Sequence, residues 1–303
     1  MTGPTLRSDI PEERDQREYH ILNLGAGVQS TTLYLMFMRG EILPQIDCAI
    51  FADTQDEPGA VYRHLEWLKS LGGPEILVRT AGCLGDDLMT GKRAPGAVRA
   101  RFASIPAFTT SDGGRTHGQT RRQCSREYKL EVVERAIRRD ILELKPRKRI
   151  PKGVTINQYF GISLDEAGRA QRITSRLRES KKWASPHFPL IDLVYTRADC
   201  LTYLADKVPH QTPRSACVFC PYHSDAEWFR LREADPVGWN RAIQIDRALR
   251  DGQSVVNQNM RQAIFLHRSC QPLYQVTFDT RPTRRDLQMS MSFAAVCEGV
   301  CGV

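Results

Sequence analysis

Three cysteines form the most specific chemical pattern in the chain. Cys217-Val218-Phe219-Cys220 separates two thiols by two residues, and Cys124 sits far upstream in Arg121-Arg122-Gln123-Cys124-Ser125-Arg126-Glu127. A tight turn across Cys-x-x-Cys aims both sulfurs the same way, so the pair can share one metal ion or cluster. A second Cys-x-x-Cys, which a closed structural zinc site would favour, is absent. Several readings stay open: a cluster, a zinc ion held by Cys124, Cys217, Cys220 and a fourth ligand such as His223 or Cys270, a redox dithiol, or plain buried thiols. Cys297 and Cys301 make a Cys-x3-Cys pair near the C-terminus that either folds back as a further ligand source or belongs to a tail. Cys48, Cys83 and Cys200 read as structural.

The second pattern is Gly25-Ala26-Gly27-Val28-Gln29-Ser30-Thr31-Thr32, placed between the apolar runs Tyr19 to Leu24 and Leu33 to Met38. That order predicts strand, phosphate loop, helix. Small residues let backbone N–H groups approach an anion, and the helix points its positive end at the same place. Neither a Walker A sequence nor Gly-x-Gly-x-x-Gly is present, and a plain glycine-rich turn is the competing reading. A further apolar run, Ala49 to Ala52, ends in Asp53-Thr54, with Asp56 and Glu57 close behind. These are candidate nucleotide contacts or a helix cap. Gly161-Ile162-Ser163-Leu164-Asp165-Glu166-Ala167-Gly168-Arg169 closes another predicted strand and precedes Arg172, Arg176 and Arg178. It suits a polyphosphate site, with Arg169 as charge stabiliser and Asp165 or Glu166 as metal ligand or orienting acid, or else an exposed helix start.

Taken in order, these motifs resemble those of the PP-loop ATP pyrophosphatases, the adenine nucleotide alpha-hydrolase superfamily that includes phosphoadenylylsulfate reductases and nucleic-acid sulfurtransferases. Gly27 and Ser30 keep the Ser-Gly-Gly-x-Asp-Ser loop pattern, while Gly25, Ala26 and Gln29 depart from it. The Gly161 to Arg169 segment is similar to the Gly-x-x-x-x-Glu-x-x-Arg segment of the reductases, and Phe188 to Asp192 with Thr196 to Leu204 is similar to their Pro-Leu/Ile segment and short helix. The resemblance implies a Rossmann-like, HUP-type open parallel sheet with helices on both faces. It also implies ATP or a related adenine nucleotide with Mg²⁺ at Gly25, Ala26, Gly27, Gln29, Ser30, Thr31, Asp53, Thr54, Gly161, Asp165 and Glu166. One early cysteine followed by a distant Cys-x-x-Cys resembles the three-cysteine [4Fe–4S] site of the thiolating members. That makes Cys124, Cys217, Cys220 and Arg169 the expected catalytic residues of an ATP-dependent sulfurtransferase. A thiol-dependent reductase of the phosphoadenylylsulfate type, or a catalytically silent nucleotide- or nucleic-acid-binding protein, are the alternatives.

The elements that must position these residues follow from length and pattern. The 303 residues can bury a sizeable core. The predicted organisation is a flexible tail over 1–18, a nucleotide-binding domain over 19–223 with a long lid-like loop at 81–120, and a helical extension over 224–303. The formal charge of +8 is concentrated in the middle third, at Arg99 to Arg139, Lys145 to Lys152 and Arg169 to Lys182. Such a zone suits tRNA or DNA phosphates, or is a solvated basic face. No apolar run approaches the ~20 residues needed to span a bilayer, and no signal-peptide apolar region opens the chain. A cytoplasmic protein without a membrane partner is expected, served by a sulfur donor such as a cysteine desulfurase.

Overall fold

The computed structural model describes residues 17–92, 101, 103–110, 116–251 and 262–279. The predicted tail, apart from its last two residues, and the Cys297 and Cys301 pair lie outside the described residues.

Five parallel strands form the main sheet in the order β3-β2-β1-β6-β7: β1 (Arg17–Leu24), β2 (Cys48–Asp53), β3 (Glu75–Thr80), β6 (Val154–Phe160) and β7 (Ala184–His187). The first two βα units step outward from β1 through α1 (Val28–Met38) and α2 (Gly59–Ser70), and β6 then returns to the other side of β1. This reversal between β1 and β6 leaves a crevice at the carboxyl ends of both strands, the usual ligand position in open α/β sheets. Both faces are covered. Leu22, Leu24 and Phe51 pack with α1 and α2 on one side, and Ile21, Ile50 and Ile156 pack with the helical run α4 (126–141) on the other. α5 (Ala167–Ser180) continues that second layer, burying Arg169, Ala170 and Ile173 while Arg172 and Arg178 are exposed. This two-sided burial is why β2 reads as an apolar run rather than an alternation.

α1 is buried along almost its whole length, from Val28 to Phe37. A helix without a polar outer face must be enclosed, and α7 (Arg197–Leu204) supplies the cover, with Cys200 and Leu204 in the same core.

The segment over 81–120 differs from the predicted lid. It contains α3 (Leu84–Thr90) and two short strands, β4 (Phe108–Thr110) and β5 (Thr116–Gln119), which join β8 (Ile264–Phe265) in a second, antiparallel sheet. Ala103, Ile105, Ala107 and Phe108 are buried, so apolar side chains anchor this stretch. Ala103, Ile105 and Ala107 share one core with Trp228 of α8 (Asp225–Ala234) and with Ala242, Ile245 and Leu249 of α9 (Pro236–Arg250). The boundary expected at 223 therefore does not separate two cores. Beyond α9 the described residues 262–279 contain β8 and a single 3-10 turn, Leu273–Gln275, so the extension is helical only in part.

Polar ties hold α9 to the end of β2. Asp56 accepts hydrogen bonds from Arg241 Nε at 2.9 Å and from the Gly85 amide at 2.7 Å, and Asp235 accepts from the Gly59 amide at 2.9 Å.

Candidate functional site

The loop after β1 turns sharply through Ala26, at φ 56°, and enters α1 at Val28. Ser30 Oγ accepts the amides of Gly25 and Gly27, each at 3.2 Å, which folds the loop back on the helix start. Thr31 N–H already bonds the Gly27 carbonyl, whereas those of Val28, Gln29 and Ser30 make no backbone hydrogen bond among the described residues. Three orphan donors at a positive helix end are a ready anion cradle. Gly161, at the end of β6, lies directly against them; a Cβ there would stand 2.6 Å from Ser30 N and 2.7 Å from Ser30 Cα.

Gln29, fully buried, donates from Nε2 to Ser163 Oγ at 3.1 Å and accepts at Oε1 from Arg197 at 3.1 Å. Arg197 opens α7, and its own amide bonds Asp165 Oδ1 at 3.1 Å. The glutamine thus brings a guanidinium to the loop where a carboxylate would have carried its own charge. Arg169 is buried and paired with Glu166 at 3.0 Å, one helical turn away. Asp53 accepts from Tyr62 Oη at 2.9 Å and the Gln55 amide at 2.8 Å, so it shapes its own turn.

Thr31 directs its hydroxyl away from the loop, to His64 Nε2 at 2.9 Å, and His64 Nδ1 lies 2.8 Å from His210 Nε2. Burial, with His210 adding, pushes His64 down to about 4, and burial also pushes His223 down to about 4. Both stay neutral in the folded chain while the unfolded chain protonates near 6.5. Unfolding therefore takes up protons as pH falls from about 6.5 towards 4, and stability is lost across that window at roughly 1.4 kcal/mol per pH unit for each histidine. We expect the thermal midpoint at pH 5 to lie on the order of 10 °C below that at pH 7.5. A flat melting profile between these pH values would contradict the buried neutral assignment.

Cys124, Cys217 and Cys220 line one cavity of about 460 Å³ including its mouth, together with Thr54, Arg122 and Lys129. The Cys220 amide donates to the Cys217 carbonyl at 2.9 Å, closing the predicted Cys-x-x-Cys turn, and the Cys124 amide is anchored on Ser104 O at 3.1 Å. Cys217 Sγ is 3.2 Å from Thr54 Oγ1. Behind it, Lys129 Nζ bonds Glu57 Oε1 at 3.0 Å in a fully desolvated pair. Burial pushes the Cys217 thiol well up; the Glu57 charge adds to this and Lys129 opposes it. Thiolates become favourable there once a positive centre enters the cavity.

Among the described residues, no three His, Cys, Asp or Glu side chains stand close enough together to hold a metal ion. Thiol sulfurs are the donor type that a soft metal or cluster takes, but as placed Cys124, Cys217 and Cys220 line the cavity without converging on one ion. His223 and Cys270 do not line this cavity: His223 Nε2 contacts the Cys217 carbonyl at 3.0 Å, and Cys270 faces the Thr109 carbonyl.

The structure adds Lys129, Ser163 and Arg197 to the neighbourhood of the predicted residues, and pairs Lys129 with the candidate Glu57. Lys129 is readable as the only lysine in the cysteine-bearing helix start, but its partner, 72 residues upstream, carries no local signal. Among the described residues, no helix is long and apolar enough to cross a membrane. No family model, curated protein or solved structure matches this chain.

Proposed function

We propose that the chain is an ATP-dependent sulfurtransferase-like enzyme of the PP-loop, adenine nucleotide alpha-hydrolase type, acting on a nucleic acid. The observation that carries the reading is the convergence of Cys124, Cys217 and Cys220 on a cavity that includes Thr54, at the end of the strand next to the one bearing the phosphate loop. The sheet order supports a HUP-type architecture.

In this reading the free amides of Val28, Gln29 and Ser30 receive the nucleotide phosphates, and Arg197, held by Gln29, neutralises them. Mg²⁺ accompanying ATP supplies further charge neutralisation, with Asp165 as the nearby carboxylate. A substrate oxygen attacks the α-phosphorus, and pyrophosphate leaves. The terminal sulfur of a persulfide on one of the three cysteines then displaces AMP from the adenylylated substrate. A neighbouring cysteine attacks the carrier sulfur, forming a disulfide and freeing the thiolated product, and an external thiol reduces that disulfide. A desulfurase-type donor reloads the persulfide. An iron–sulfur cluster on Cys124, Cys217 and Cys220, when bound, supplies a site for a sulfur ligand; zinc there would only hold the thiolates.

The nucleic-acid partner is supported by the exposed Arg135, Arg139, Lys145, Arg147, Lys148, Arg149 and Lys152 on α4 and the connection into β6. The test is anaerobic purification with iron, sulfide and zinc analysis of wild type and Cys124→Ser, followed by pyrophosphate and thiolation assays on tRNA and DNA. We expect Cys220→Ser to abolish thiolation by at least 100-fold while substrate-dependent pyrophosphate release continues. Sulfite formation from an adenylylated sulfate would favour the reductase, and nucleotide binding without turnover would leave a silent fold.

A further inference from the structure

A second cleft opens on the sheet face covered by α4 and α5, and nothing in the proposed chemistry uses it. The cleft encloses about 550 Å³ when the open solvent at its mouth is included. Val133, Phe160, Ile173 and Trp183 form apolar walls, and the floor is two amides, Asn23 of β1 and Gln158 of β6. Amides are out of place here, because the central strands of a two-sided parallel sheet are otherwise apolar.

Both amides are more than nine-tenths buried, Asn23 at 3% and Gln158 at 6% exposure. Asn23 Nδ2 donates to Gln158 Oε1 and to the Tyr159 carbonyl, each at 3.3 Å. The carbonyl fixes which way the Asn23 amide points. Asn23 Oδ1 and Gln158 Nε2 make no hydrogen bond among the described residues, and neither is sealed from the cleft. An acceptor and a donor therefore stand on the floor of a cleft that the apolar side chains share with Glu131, Glu134, Arg176 and Lys181. Leaving both unpaired has a cost that a bound partner would remove.

We propose that this cleft binds a flat heterocycle whose amino group lies beside a ring nitrogen, as in adenine. The amino group would donate to Asn23 Oδ1 and the ring nitrogen would accept from Gln158 Nε2, the pairing by which side-chain amides read adenine. The walls bury the ring faces. The heterocycle could be a free nucleoside or an unstacked base of a strand lying on the neighbouring basic residues. This inference goes beyond the sulfurtransferase reading and does not depend on it.

Trp183 lines the cleft and provides a direct probe. Adenosine should quench its fluorescence, with the signal lost in Trp183→Phe, and purine riboside, lacking the amino group, should bind at least tenfold more weakly. The double variant Asn23→Leu with Gln158→Met should keep its circular dichroism and melting temperature, and lose adenosine binding at least tenfold. A single-stranded decamer with one adenine, compared with an abasic decamer, identifies the source: tighter binding than adenosine indicates a strand, and equal binding a free nucleoside. Equal affinity for adenosine and purine riboside, or no binding of either at millimolar concentration, would overturn the proposal without touching the thiol site. Because the purine comparison alters the ligand alone, it decides the question even if the double variant fails to fold.

Discussion

Replacing Gly161 by alanine is expected to destabilise the protein by roughly 3 kcal/mol and to weaken nucleotide binding at the same time. The added methyl would lie 2.6 Å from Ser30 N, 2.7 Å from Ser30 Cα and 2.9 Å from Gln29 C. All three are backbone atoms in the first turn of α1, so no side-chain rotation can relieve the clash. Either β6 moves away from β1 or the helix start shifts, and both disturb the free amides of Val28, Gln29 and Ser30. The measurement is a thermal melt paired with ATP titration of Gly161→Ala. Gly72→Ala is the control, because Gly72 has φ +68° with nothing within 4 Å of its missing Cβ. That substitution should cost only about 1 kcal/mol, through backbone strain, and leave ATP affinity unchanged. Equal effects at the two positions would mean that the contact between β6 and α1 is not a tight one.

Lys129→Met should be as damaging for a different reason. The Glu57 side chain has no exposed surface, and its ion pair with Lys129 at 3.0 Å is its strongest partner beside the hydroxyls of Thr54 and Ser215, each at 3.4 Å. Removing one member of a buried pair strands the other charge, which typically costs about 3–5 kcal/mol. Lys129→Met with Glu57→Gln should recover most of that loss, since two neutral groups of similar size replace two charges. A double-mutant cycle by chemical denaturation reads the coupling. If the double variant is no more stable than Lys129→Met alone, the pair is not what holds the wall of the thiol cavity.

Local pattern carried much of the architecture and little of its wiring. The strand, turn and helix around Gly25 to Thr32 are visible because small residues interrupt two apolar runs, and the β2 and β6 ends carry the same kind of signal. The turn at Cys217 to Cys220 is likewise a local event. By contrast, the pairs Glu57 with Lys129 and Gln29 with Arg197 join residues 72 and 168 positions apart. No spacing rule announces them. Thr31, with the look of a phosphate ligand, instead serves His64, because its side chain leaves α1 towards α2. The 81–120 segment misleads by composition: its Gly, Ser, Thr and Pro suggest an irregular lid, yet Ala103, Ile105 and Ala107, at every second position, enter the core shared with α8 and α9. The amides of Asn23 and Gln158 sit inside otherwise apolar runs, and only their adjacency across two strands gives them meaning.

The thiol cavity also has a timetable. Cys124 belongs to the middle of the chain, while Cys217 is bonded to Thr54 across 163 residues and arrives with the last third. At ordinary synthesis rates, roughly 5–20 residues per second, roughly 5–20 s separate the synthesis of Cys124 from that of Cys217. β1 to β3 are made before Cys124, β6 and β7 are made between Cys124 and Cys217, and the cysteine turn comes last. For that period Cys124 is a lone thiol on an unfinished wall, open to oxidation or to a wrong partner. The three-thiol lining of the cavity is therefore complete only once the Cys217 to Cys220 turn has been made.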